Sequence, residues 1–208
     1  MVETSGNPAM PLGTPPITAA LTTALRAFLQ ACLPSETPIL LARQNRMAAP
    51  LGLFALMTIL QHQRVATSAS RYTGATRIVL QQQESTVQVS LFGPGAGEGA
   101  QLISALFNNG WAAEFFTAFY QTQNQQPPCP MPVAAEAPPP GYPTRIAPLH
   151  AGPARQIPFV NGERQYEEHW QIDLHLQASF SLTRPQQTAP VATLALAEVT
   201  SLQGFPFA

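Results

Sequence analysis

Both strands and helices can be read in this sequence, so an α+β fold is expected, and two stretches carry that expectation. The first runs from Pro158 to Arg184, where the chain alternates almost without error from Tyr166 on. Tyr166, Trp170, Ile172, Leu174, Leu176, Ala178, Phe180 and Leu182 fall on one face. Glu167, His169, Gln171, Asp173, His175, Gln177, Ser179 and Ser181 fall on the other. A period of two marks a strand with one face on a core and one in water. The second stretch is the opening helical pattern, in which Ile17, Leu21, Ala24, Leu25, Phe28, Leu29 and Cys32 recur at helical spacing until Pro34 ends it.

The alternating stretch would extend roughly 55 Å, about three times a usual strand. It must therefore bend at a bulge or project as an arm toward a neighbour, which points to assembly rather than catalysis. Asn161-Gly162 just upstream is a turn signal, because both residues tolerate positive φ.

The other elements follow in order. Residues 1–16 are small, polar and proline-rich and read as an extended arm, leaving 17–208 as one α+β domain. After Ile39-Leu40-Leu41-Ala42 and the polar Arg43–Arg46, the segment Leu56–Arg64 reads as a strand. Thr76–Gln82 and Ser85–Phe92 read as the two arms of a hairpin, with Val87, Val89 and Leu91 on one face. A helix is expected from about Ala96 to Asn108, then a turn at Asn109-Gly110. Trp111, Phe115, Phe116 and Phe119 follow on one face of a further helix and are assigned to the core. Nine prolines lie between Pro127 and Pro148, so 127–148 is expected to be a surface insertion rather than helix or central strand. Val191–Val199 reads as a last strand.

Composition bounds the function. Charged residues make up 10% of the 208, against about 25% in ordinary globular proteins. There is no lysine, and Asp173 is the single aspartate. A GC-rich genome accounts for part of that bias, but a surface so poor in charge is weakly protected against association. The net charge of −1 gives no electrostatic case for sequence-specific nucleic-acid binding, and no basic patch is evident. Cys32 and Cys129 form neither a disulfide framework nor a zinc spacing, and no apolar run reaches the length of a membrane span.

Gly95-x-Gly97-x-x-Ala100 follows a strand and opens a helix, as a dinucleotide fingerprint does. The missing second parallel strand with its acidic end, and the absence of lysine, favour a plain turn over the Gly93–Gly99 loop. Glu167, His169, Asp173 and His175 share a strand face, yet alternate positions lie ~7 Å apart, which favours a solvated face over a metal site. No nucleophile elbow accompanies any histidine. Catalytic, cofactor-binding and metal-ligating residues are therefore assigned to none. Candidate interface residues are Arg43, Arg46 and Arg64, with Arg71 and Arg77 in the same half, and Asn161, Glu163, Arg164, Glu167 and His169 from the anchor stretch.

Three segments carry a resemblance. They are R-Q-N-R-M-A-A-P-L-G at Arg43–Gly52, V-Q-V-S-L-F-G-P-G-A at Val87–Ala96, and P-L-H-A followed by Q-I-P-F-V-N-G-E-R-Q-Y-E-E-H-W-Q-I-D-L within Pro148–Leu174. Together they resemble the phage neck terminator proteins of tailed bacteriophages, over roughly Leu41–Val199. The resemblance implies a small α+β subunit with helices packed on a mainly antiparallel sheet. It also implies a virion protein, assembled in the host cytoplasm, that closes into a ring, usually of six, at the head-proximal end of the tail tube. Its partners would be further copies of itself, the tail tube protein, the sheath of a contractile tail and the head–tail connector, with DNA passing through the lumen. No cofactor and no catalytic residue are implied. The rival readings are another neck or head-completion (collar) protein, a small nucleotide-binding enzyme using the Gly93–Gly99 loop, and a host-encoded binding module.

Overall fold

The computed structural model describes residues 17–42, 50–73, 76–124, 145–160, 162 and 164–186. Among these described residues, three helices and nine strands make an α+β fold. Helix α1 (Ile17–Cys32) is followed by β1 (Ile39–Leu41), β2 (Phe54–Arg64), β3 (Ala69–Thr73) and β4 (Thr76–Phe92). Helices α2 (Ala96–Phe107) and α3 (Gly110–Asn124) come next, then β5 (Arg145–Ala151), β6 (Arg155–Gln156), β7 (Phe159–Val160), β8 (Tyr166–Glu167) and β9 (His169–Pro185). The main sheet runs β1-β2-β4-β9-β5, with β3 beside β4 and β6 beside β9; β7 and β8 form a separate two-stranded ribbon. Among the described residues only the β1–β2 pair is parallel.

The spine is the antiparallel ladder of β4 and β9, paired from Thr76–Pro185 to Phe92–His169 without a register shift. Its core-facing rungs are apolar where the helices cover it: Val87–Leu174, Val89–Ile172 and Leu91–Trp170. Each of those residues except Trp170 is buried. The three helices lie on this face. Phe28 of α1 is their common centre, with ring centroids 5.4 Å from Phe107, 5.5 Å from Trp111, 5.6 Å from Phe115 and 5.7 Å from Phe116. The helical apolar stripes predicted from spacing are therefore the core, as expected. Tyr120 fixes α3 to the sheet, its hydroxyl accepting from the Ile146 N–H at 3.0 Å. Cys32 is buried among these helices, and burial pushes its thiol up to about 12.

Several expectations need correction. Thr76–Phe92 is one strand, not a hairpin. The polar run Gln81-Gln82-Gln83-Glu84 looks like a turn in sequence, but the β9 ladder satisfies its backbone throughout. The overlong strand has no bulge against β4; the ladder itself extends past its neighbours. The last rung of β2 is Arg64–Gln83 and the first of β5 is Arg145–Ser179. Beyond them β4 continues between β3 and β9 alone. The proline-rich stretch also ends earlier than expected, since β5 contains Pro148. That is tolerable because β5 is an edge strand and its register shifts between Pro148 and His150. The expected arm at 1–16 and the strand at Val191–Val199 lie outside the described residues.

Candidate interaction surface

The glycine loop between β4 and α2 is shaped by packing. Gly93 has φ +92, and a Cβ there would sit 2.4 Å from the Gly52 carbonyl oxygen. Gly97 faces Glu168 and Trp170, and a Cβ would meet both at 2.9 Å. The free N–H groups at a helix start are where a phosphate binds. Here Glu168 holds them: its Oε1 accepts from Gly97 N–H at 2.9 Å and its Oε2 from Gly95 N–H at 3.2 Å. The Trp170 indole Nε1–H donates to the same carboxylate at 3.0 Å. A nucleotide phosphate would have to displace this carboxylate. The neighbouring strands β4 and β9 are antiparallel, so the β-α-β setting of a dinucleotide site is also missing. Gly93 and Gly97 thus have a structural explanation in close packing.

Glu168 was not singled out from the sequence. A signal for it was present: it occupies a core-face position of the alternation, between Tyr166 and Trp170, where a carboxylate needs hydrogen-bond donors.

The opposite face of the sheet is a polar ladder. His175 meets Glu84 at 2.7 Å and stacks on His150 with centroids 4.1 Å apart. Asp173 accepts from Arg155 at 2.8 Å and from Gln88 at 3.2 Å. These side chains hold neighbouring strands to one another. Among the described residues no group of three or more His, Cys, Asp or Glu is arranged to hold a metal ion. His62 lies 2.8 Å from Ser85 through Nδ1, but Ser85 is fully buried and the other contact of that nitrogen is Gln83 at 3.5 Å. A catalytic triad needs the base oriented through its second nitrogen, so this pair does not form one.

The sequence-derived interface candidates separate. Arg43, Arg46, Asn161 and Glu163 lie outside the described residues. Arg64 closes β2, with its guanidinium on the Ala66 carbonyl at 2.9 Å and the Ser68 hydroxyl at 3.1 Å. Arg164, Glu167 and His169 lie at the other end of the sheet. Arg164 is exposed at φ 62 in the turn between β7 and β8, as Asn161-Gly162 suggested, and Glu167 is half-buried in β8. The structure therefore does not bring Arg64 together with Arg164, Glu167 and His169.

Two face assignments were wrong. Tyr166 was placed in the core but is 86% exposed, because the chain leaves the β9 line at Glu168 and Tyr166 belongs to the β7–β8 ribbon. His169 was placed in water but is 7% exposed. It closes an aromatic row on the far face, stacked on Phe92 at 4.1 Å with Phe159 edge-on at 5.8 Å, and Phe92 stacks in turn on Phe54.

Neither ring nitrogen of His169 has a hydrogen-bond partner. Burial pushes its pKa down, because the charged imidazolium loses water and gains nothing in return. The unfolded chain then takes up a proton at higher pH than the folded one. Stability present above the ordinary histidine value of about 6.5 is lost as pH falls below it. In His169→Phe, urea titrations between about pH 7 and 5 are expected to show a shallower loss of stability than wild type. An unchanged slope would mean that another group carries the acid sensitivity.

What these residues define is an α+β scaffold whose polar side chains hold its own strands and turns in place. Residues 19–130, more than half of the chain, match the family of phage neck terminator proteins, and the chain belongs to that family. It is a structural component of the phage neck. The matched segment runs from α1 to just past α3; it begins before the Leu41 expected from the resemblance and ends before Pro148–Leu174, the third of the segments that carry it. No curated protein matches the chain. Among the described residues no helix is long and apolar enough to cross a membrane.

Proposed function

We propose that this protein is a tail terminator whose copies close into a ring, of six by the family resemblance, at the head-proximal end of the tail tube. The ring caps tube growth and offers its other side to the head connector, with the sheath as a further neighbour in a contractile tail and DNA in the lumen. Assembly takes place in the host cytoplasm. The observation that carries this reading is family membership across the segment that builds all three helices and the strands β1 to β4.

Two further features support it. Charge is scarce over the whole chain, as suits a surface covered by other subunits. A ring also needs two different patches per subunit, and the β4–β9 ladder presents different chemistry at its two ends. The interface candidates Arg64 at one end and Arg164 and Glu167 at the other fit such a division, whereas His169 is buried and does not.

Purified protein added to polymerising tube protein tests the capping role. Short tubes with a ring at one end are the expected products in electron micrographs. Tubes of unaltered length, with the protein instead bound to connector rings, would move the assignment to a head-completion or collar component.

A further inference from the structure

The near-neutral net charge hides a polarised molecule. At the far end of the ladder, past the last rung of β2, the cross-strand row Tyr72–Arg77–Arg184 spans β3, β4 and β9. Arg77 and Arg184 lie directly opposite each other, an unfavourable pairing of like charges. Arg71 is exposed on the adjoining rung, where it adds positive charge on the other face of the sheet, and Arg64 ends β2 about 20 Å further along β4, opposite Gln83. No acidic residue occurs in 64–82 or 179–186. Arg77 is braced by the Ser70 hydroxyl at 2.9 Å and by the Tyr72 ring at 5.6 Å, while Tyr72 itself is 56% exposed. The absence of a basic patch, expected from composition, is thus corrected: cross-strand register gathers arginines that the sequence spreads over more than a hundred positions.

The near end is acidic. Glu98 is exposed in the first turn of α2, Glu167 lies in β8, and Glu168 sits beside them. Among the described residues two arginines are exposed there, Arg164 and Arg155, and the second is already paired with Asp173. The two ends are separated by roughly 50 Å along the ladder, so one subunit cannot neutralise itself. A heterologous contact between copies can.

We propose that the Tyr72–Arg77–Arg184 row of one subunit docks on the acidic end of a second copy, around Glu98 and Glu167, and that this head-to-tail contact closes the ring. The inference rests on the ring reading above. Exposed arginine and tyrosine side chains are suited to such a contact, and the unbalanced arginines gain the counter-charge they lack within the subunit.

Charge reversal of the full-length protein tests it. One variant combines Arg77→Glu with Arg184→Glu; the other combines Glu98→Arg with Glu167→Arg. Sedimentation should show each variant alone self-associating at least tenfold more weakly than wild type. An equimolar mixture should recover assembly, because every ribbon then meets an end of opposite charge. Circular dichroism checks that each variant is folded, and Arg184→Glu alone replaces the first pair if Arg77 proves necessary for the strand row. If wild type forms rings and both variants do so equally well, or if mixing restores nothing, the docking surface is wrong and the ring reading stands. A wild type that stays monomeric at all concentrations would overturn the ring reading itself. If the ribbon variant assembles normally but loses binding to a short DNA duplex at low salt, the arginines serve phosphates and the proposal fails.

Discussion

Trp170→Asp is expected to leave little soluble, folded protein. Trp170 pairs with Leu91 at the end of the central ladder, packs against Gly97 and donates its indole N–H to Glu168. The substitution removes the aromatic contact area, deletes one donor and brings a second carboxylate beside Glu168. Losing the aromatic contacts alone costs about 3 kcal/mol, and the new charge at a half-buried site adds to it. Together these approach the whole stability of an ordinary domain. His169→Ala is expected to be milder than Trp170→Asp, but the burial of His169 makes it a measurable loss. It should lower stability by about 2 kcal/mol, because it empties the space between Phe92 and Phe159. Chemical denaturation of the two variants checks both. A His169→Ala protein as stable as wild type would show that the far-face aromatic row contributes nothing.

Glu168→Ala is the second large effect. Its carboxylate accepts from two backbone N–H groups at the start of α2 and from Trp170. Removing it leaves three donors without partners in a half-buried site and takes a negative charge from the positive end of the helix dipole. A loss of about 3 kcal/mol is expected, with Glu168→Gln intermediate because an amide oxygen accepts less strongly than a carboxylate. Glu167→Ala, one residue away in β8, should change little. Equal stability of Glu168→Ala and wild type would show that water satisfies the α2 N-terminus. It would also reopen the glycine loop as an anion site, which phosphate titration of that variant would then reveal.

The parts of the fold that were legible are those where burial alone sets the pattern. The stripe through Leu21, Leu25, Phe28 and Leu29 gave α1, and the run from Ile172 to Phe180 gave β9 and its core face. Where partners decide, the sequence misled. Nothing local distinguishes Gln81–Glu84 as strand interior, because its stability comes from β9 nearly a hundred residues away. His169 has the parity of a solvated position, yet Phe54, Phe92 and Phe159 converge on it from distant segments and make a second apolar layer. The glycines imitate a phosphate loop because both structures need the backbone to come close to something. In this chain the partners are Gly52 and Glu168. Interface candidates were legible by residue type and not by place. Arg184, the partner of Arg77, was passed over because only the strand register reveals the pair.

The central claim is that this chain terminates the tail. Electron microscopy of particles from an infection in which its gene carries an early stop tests that claim most directly. Over-long tubes that never join to capsids are the predicted result. Normal infectious particles with tails of ordinary length would contradict it.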